Sequence, residues 1–257
     1  MEKTQAQEIA EQLINLTNQH VFLTGKAGTG KTTFLRNLIE TTHKQAVIVA
    51  PTGIAALNAG GVTIHSFFQL PFGGFIPDFS SEMYISANAK LESKSTLLRH
   101  FRHSKKRQQL MKSIELIVVD EVSMLRADTL DAMDWVLRNM RKNNEPFGGV
   151  QMLFIGDLHQ LPPVIKNEEW AQLSKFYQGI HFFNALVLQE QPPVYVELTK
   201  IYRQQDDTFI DVLNQLRNNQ MNADGLAVIN AKVNTQFDAA RERGYITLTT
   251  HNHKADV

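Results

Sequence analysis

Gly25-Lys26-Ala27-Gly28-Thr29-Gly30-Lys31-Thr32 fits G-x-x-x-x-G-K-[ST], and no other stretch of the chain restricts its fold as much. The apolar run Val21-Phe22-Leu23-Thr24 stands directly before it, and an apolar pattern of helical period starts at Lys31. A strand, a glycine turn and a helix in that order let the backbone curl so that successive N–H groups point at phosphate oxygens. The positive end of the helix dipole lies behind them. In that frame Lys31 reaches the β and γ phosphates and Thr32 holds Mg²⁺. Gly25, Ala27, Gly28, Thr29, Gly30, Lys31, Thr32 and Thr33 are the residues expected around bound ATP or ADP.

A phosphate loop of this kind belongs to an α/β layer structure, and the periodicity of the remaining chain agrees. Helices are expected over 3–18, 31–43, 53–58, 96–111, 127–141, 207–218 and 225–233. Strands are expected over 21–24, 46–50, 114–119, 150–155, 194–198 and 245–249. Strands separated by helices predict a parallel sheet flanked by helices. Residues 68–95 hold Pro71, Gly73, Gly74, Pro77 and several serines with little periodicity, so an inserted loop or small subdomain is expected there. The first domain is expected over 1–186, and an incomplete second one over 187–257. At 43% hydrophobic residues the chain can fill such a core. The absence of cysteine excludes disulfide scaffolds, cysteine zinc sites, iron–sulfur clusters and thiol nucleophiles.

A phosphate loop also needs a carboxylate at the end of a neighbouring strand, and Leu116-Ile117-Val118-Val119-Asp120-Glu121 supplies it. Asp120 is expected to hold Mg²⁺ through water. Glu121, one residue further out, is placed to polarise an attacking water, which marks a hydrolase rather than a kinase. The strand over 150–155 runs into Gly156-Asp157-Leu158-His159-Gln160-Leu161-Pro162-Pro163. Polar groups therefore gather at the carboxyl edge of the sheet, where open α/β sheets bind ligands, and Gln160 is the candidate for touching the γ phosphate.

Together these segments resemble the superfamily-one DNA helicases. Ala50-Pro51-Thr52-Gly53-Ile54-Ala55-Ala56 and Gly61-Val62-Thr63-Ile64-His65-Ser66-Phe67 agree with that pattern. Three further strings are similar to the signature of the petite-integration-frequency helicases. They are Asp120-Glu121-Val122-Ser123-Met124-Leu125, Met140-Arg141-Lys142-Asn143-Asn144-Glu145-Pro146-Phe147-Gly148-Gly149-Val150-Gln151 and Leu198-Thr199-Lys200-Ile201-Tyr202-Arg203-Gln204. The resemblance covers residues 21–204. It implies a RecA-like P-loop NTPase domain and the beginning of a second RecA-like domain. The implied activity is that of an ATP-driven 5′-to-3′ DNA helicase used in replication, repair or telomere maintenance.

On this resemblance Lys31, Thr32, Asp120, Glu121 and Gln160 carry the ATPase chemistry. Arg203 reaches the γ phosphate from the second domain, where a cation that arrives as the cleft closes suits the charge of the transition state. Gln7 is assigned to the adenine, with Gln5 or a plain solvated helix residue as alternatives. The implied DNA contacts are Pro51, Thr52, Gly53, Thr63, His65, Ser66, His159 and Pro162. Phe67, Phe68, Phe72 and Phe75 offer rings for base stacking, with core packing as the alternative.

Charge is balanced, 26 basic against 26 acidic residues, and gives no global sign of a polyanionic partner. Residues 94–112 nevertheless carry seven basic side chains and no acid, which fits either a DNA path or a solvated face. The first residues lack both the basic and the apolar parts of a secretion signal, and no apolar run approaches the roughly 18 residues of a membrane span. A cytoplasmic protein is expected, nucleoid-associated in a bacterium, monomeric, with single-stranded and forked DNA as partners and no membrane. A further arginine-bearing motif and a late barrel-like insertion of the complete helicases have no counterpart here. The expectation is therefore an N-terminal portion that hydrolyses ATP weakly and does not unwind alone. The competing class is a nucleotide-gated regulatory ATPase that binds a protein or duplex DNA.

Overall fold

The computed structural model describes residues 3–80, 84–85, 90–100, 105–202, 206–237, 244–246 and 248–249. Its strands, in chain order, are β1 (Val21–Gly25), β2 (Ala46–Ala50), β3 (Val62–Thr63), β4 (Gly74–Ile76), β5 (Tyr84–Ile85), β6 (Lys90–Ser93), β7 (Leu116–Val119), β8 (Gln151–Ile155) and β9 (Val194–Leu198). Six of them form one sheet in the order β3-β2-β7-β8-β1-β9, with every neighbouring pair parallel. The central β7 and β8 are buried along their whole length, as strands covered on both faces must be. Alternate side chains feed two cores. Val21 and Leu23 of β1, with Leu116 and Val118 of β7, pack against α1 (Gln5–Leu16) and α2 (Lys31–Thr41). Phe22, Ile117, Val119, Met152 and Phe154 face the opposite core.

Two short helices, α3 (Gly53–Ala59) and α4 (Ile64–Phe68), follow β2 and β3, with Thr52 and Thr63 as their N-caps. The segment expected to be an insertion holds a separate three-stranded sheet, β4-β6-β5. The basic stretch then departs from the single helix expected over 96–111. It contains α5 (Lys94–Leu97), a 3₁₀ turn (Leu98–His100) and α6 (Lys105–Ser113), and residues 101–104, including Arg102, lie outside the described residues. Its charges are also divided. The Lys94 ammonium sits 5.1 Å from the ring centroids of both Phe79 and Trp135, and Arg107 donates to the Phe67 carbonyl, whereas Arg99, Lys105, Lys106 and Lys112 face solvent.

The helix α7 (Ala127–Arg141) runs between the sheet and the small subdomain and is buried on almost every side. After β8 come α8 (Asn167–Leu173) and α9 (Leu186–Glu190), then β9. Packing divides the chain into two units, Met1–Arg203 and Gln204–Val257. The division falls beyond the 186/187 boundary expected from the sequence because β9 adds to the sheet beside β1, with Val21 opposite Val194 and Gly25 opposite Leu198. The second unit contains α10 (Asp207–Arg217) and α11 (Ala223–Asn230). The strand expected over 245–249 is not formed by its described residues, and Thr247 lies outside them. No helix among the described residues is long and apolar enough to cross a membrane.

Candidate nucleotide site and nucleic-acid edge

Because all six strands are parallel, their carboxyl ends share one edge, and the chain leaves each of them into a loop that carries candidate residues. From one side of the sheet to the other these are Thr63-Ile64-His65-Ser66 after β3, Pro51-Thr52-Gly53 after β2, Asp120-Glu121 after β7, His159 to Pro162 after β8, the glycine-rich loop after β1, and Lys200 to Tyr202 after β9. Backbone hydrogen bonds seal the loop bases: Asp120 N donates to Val49 O at 2.9 Å and Gly156 N to Leu23 O at 3.3 Å.

The phosphate loop has the backbone its sequence predicts. Gly28 and Gly30 occupy the left-handed region at φ +81° and +87°, and Gly30 caps α2. Gly25 stands at φ +153°, where a Cβ would lie 2.5 Å from Leu198 O and 2.6 Å from Thr29 Oγ1. The Lys31 Nζ sits inside the curl and donates to Gly25 O at 2.6 Å and Lys26 O at 3.0 Å. Thr29 is buried and donates its hydroxyl to Lys26 O, so its side chain braces the loop from within. Ala27, Thr32 and Thr33 are exposed. Tyr202 N donates to Gly28 O at 2.8 Å, tying the chain after β9 to the loop.

Next to this curl lies a cavity of about 90 Å³ lined by Lys3, Gln7, Gly30, Thr33, Phe34 and Tyr202, among others. Gln7, the candidate for the adenine, is thus brought to the phosphate loop. Its Oε1 accepts from Thr4 N in the capping box that starts α1, and its Nε2 lies 3.7 Å from where a Cβ on Gly30 would be. Gln5 is not among the lining residues. The sequence reading missed Lys3 and Tyr202 here. Tyr202 stands inside one of the quoted signature strings, but no periodicity or spacing announces an aromatic wall.

Asp120 and Glu121 are half-buried at the end of β7. Burial pushes the Asp120 carboxyl up to about 6, opposed by the Glu121 N–H, reinforced by the Glu121 charge and opposed again by Lys31. Lys31 and both acids therefore share one electrostatic site. Glu121 holds φ +53°, a conformation unusual for a residue with a Cβ, at the point where the chain leaves β7 for a 3₁₀ turn over Val122–Met124. The carboxylates here are hard oxygen donors of the kind that suits Mg²⁺, as is the hydroxyl of the exposed Thr32.

In the third loop His159, Gln160 and Pro162 are exposed, while Asp157 is buried and organises them. Its carboxylate accepts from His159 N at 3.1 Å and from Gln160 Nε2 at 3.4 Å. Gly156 allows this loop to approach the turn that follows Glu121, since a Cβ there would meet Val122 N and Val122 Cγ1 at 3.0 Å. Of the candidate DNA contacts on the other side, Thr52 and Thr63 use their hydroxyls as caps, accepting from Ala55 N and Ser66 N. Gly53 and Ser66 are exposed, and Pro51 and His65 are half-buried. Arg203 lies outside the described residues.

The signature over 140–151 is scaffold rather than site. Arg141 donates to the carbonyls of Met111, Lys112, Ile114 and Gly148, capping α6. Phe147, Gly148 and Gly149 form a left-handed turn. Gln151, at the amino end of β8, donates to Leu13 O and Gln19 O and accepts from Lys44. These contacts lock the amino edge of the sheet, opposite the phosphate loop.

A family model described as PIF1-like helicase matches residues 2–225. The ATP-dependent DNA helicase PIF1 of Saccharomyces cerevisiae is 37% identical over 215 residues, covering 80% of this chain and 22% of that protein. The human ATP-dependent DNA helicase PIF1 is 32% identical over 203 residues, covering 79% of this chain and 28% of its own length. Among solved structures, Bacteroides Pif1 helicase in complex with ADP-AlF3 and single-stranded DNA is similar at TM-score 0.87 and 42% identity, covering 100% of this chain and 56% of that one. The crystal structure of Bacteroides Pif1 bound to single-stranded DNA gives TM-score 0.86, 42% identity and 55% of its chain. This chain thus spans between 22% and 28% of these two curated relatives and just over half of the solved chains. With a match over residues 2–225 and a RecA-like parallel sheet that carries a phosphate loop, the chain belongs to the PIF1-like helicase family.

Proposed function

We propose that this chain binds ATP with Mg²⁺ and hydrolyses it as part of a 5′-to-3′ DNA helicase that moves on single-stranded DNA and acts at forks. The observation that carries this reading is one sheet edge on which a phosphate loop, an Asp–Glu pair and a loop holding Gln160 stand side by side, with candidate DNA loops beyond them. In this reading the nucleotide lies on Gly25, Ala27, Gly28, Thr29, Gly30, Lys31, Thr32 and Thr33, with its base in the cavity against Gln7 and Tyr202. Thr32 and Asp120 hold the metal, which neutralises phosphate charge when bound. Glu121 takes the proton of the attacking water, and Gln160 and Arg203 respond to the γ phosphate. Pro51, Thr52, Gly53, Thr63, His65, Ser66, His159 and Pro162 face the single strand. The relatives are named as DNA helicases, and solved relatives hold single-stranded DNA and ADP-AlF3. A monomer acting on DNA in the cytoplasm or nucleoid, without a membrane, completes the reading.

The test is steady-state ATP hydrolysis with and without single-stranded DNA, with Glu121→Gln as control. Weak turnover by this chain that rises with single-stranded DNA and disappears in Glu121→Gln is the expected result. Turnover that responds to duplex DNA or to a protein instead would replace the motor by a nucleotide-gated regulator.

A further inference from the structure

The four phenylalanines between residues 67 and 75 have different fates. Phe68 and Phe75 are buried, and Phe67 is half-buried with its ring edge-on to Phe68 at 5.0 Å. Those three build the core. Phe72 is 85% exposed, an arrangement that leaves a large apolar ring in water without a packing role.

Its position is nevertheless fixed. The Phe72 ring lies parallel to the His65 imidazole, with centroids 5.4 Å apart and planes at 19°. Burial and the nearby Arg126 hold the His65 pKa below the usual imidazole value, against the Asp128 charge. The backbone is pinned on both sides. Leu70 is buried and its N–H bonds to His65 O, while Pro71 restricts the chain just before the ring. After it, Gly73 and Gly74 run so close to β6 that added Cβ atoms would lie 2.3 Å from Lys90 O and 2.5 Å from Leu91 Cδ2. With His65 under one face, the exposure of the ring leaves the other face open.

We propose that Phe72 is a stacking platform for one nucleobase of single-stranded DNA, with His65 as its rigid underlayer. The inference rests on the single-strand reading above and adds a base contact to a set of loops otherwise suited to the sugar–phosphate chain. A single ring whose exposed neighbours Ser66 and Gln69 are polar is too small for a protein-docking patch and has the size of one base. Every base presents a π face, so the contact tolerates any sequence, and a pre-positioned ring loses little freedom on binding.

The experiment is fluorescence anisotropy of the whole chain with a labelled oligonucleotide and with an abasic strand of equal length, for wild type, Phe72→Ala and Phe72→Trp. Phe72→Ala should weaken binding of the normal strand by roughly five-fold to a hundred-fold and leave the abasic strand unaffected. Phe72→Trp should bind like wild type, and none of the variants should change the slope of log K against log salt, since no charge is lost. Unchanged thermal midpoints are expected for so exposed a side chain. Equal affinity of Phe72→Ala and wild type for the normal strand would overturn the platform, as would an equal loss on both strands. Failure of wild type to bind either strand would refute the single-strand reading itself, and the platform with it.

Discussion

Gly25 shows how much a single residue decides at the phosphate edge. Its conformation, φ +153°, is joined to a space problem, because a methyl group would overlap both the β9 carbonyl of Leu198 and the Thr29 hydroxyl that braces the loop. Neither neighbour is a flexible side-chain end. Gly25→Ala should therefore shift β9 or the loop, lowering the thermal midpoint and weakening binding of a fluorescent ADP analogue. Gly53→Ala is the contrast. A Cβ there meets nothing within 4 Å, and Gly53 opens α3 with ordinary helical geometry, so its thermal midpoint should stay the same or rise slightly. A pair of scans and titrations separates the two. Equal behaviour of both variants would show that loop geometry at Gly25 is not limiting.

At the scale of elements the organiser is α7. Three acids spaced three residues apart, Asp128, Asp131 and Asp134, are all buried, and each accepts backbone N–H groups from a different segment. Asp128 takes Phe75 N of β4 at 2.9 Å, Asp131 takes Leu186 N and Val187 N of α9 at 3.0 Å, and Asp134 takes Phe147 N of the left-handed turn at 2.6 Å. Buried carboxylates persist because these donors and paired cations satisfy them. Arg126 is the strongest such partner, bidentate to Asp128 at 2.8 Å and bonded to Glu169 of α8 at 2.9 Å. Arg126→Met would leave two buried acids without a counter-charge. Chemical denaturation should show a loss of about 3–5 kcal/mol, with the subdomain, α7 and α8 loosened together. A loss below about 1 kcal/mol would mean that backbone donors alone satisfy Asp128.

For the whole molecule, buried titratable groups set opposing dependences on pH. Asp131 is pushed up to about 6 by burial, so the folded chain holds a proton that the unfolded chain has already released. Its contribution is greatest below about pH 4 and is lost as pH rises to about 6. Asp120 acts in the same direction. His20 is lowered to about 4 by burial beside Phe147, so its contribution is present above about pH 6.5 and lost as pH falls to about 4. The effects overlap and partly cancel in wild type. Substitution separates them: the stability of Asp131→Asn relative to wild type should rise by roughly 2 kcal/mol between about pH 4 and pH 6, and that of His20→Gln should rise as pH falls. Urea unfolding across this range checks both. Parallel curves for wild type and Asp131→Asn would show that this carboxyl does not titrate there.

The phosphate loop, the acids after β7 and the third-strand loop were legible in the sequence because their chemistry depends on residue types at fixed local spacing. The strands over 46–50 and 194–198 and the helix over 127–141 were legible too, since period 2 and period 3.6 are local properties of the chain. What local pattern does not carry is the partner. Asp128, Asp131 and Asp134 read as ordinary polar helix positions, and only the segments folded around α7 make them internal. The basic stretch reads as one surface, yet Lys94 and Arg107 are taken up by rings and a carbonyl. Four neighbouring phenylalanines look alike in sequence, and long-range packing alone divides them into three core residues and one exposed ring. The chain's own spacing determined a glycine-rich turn between a strand and a helix, and a parallel sheet. Contacts between residues far apart in sequence decided which charges and rings remain at the surface, because burial is a property of the assembled layers and not of any single element.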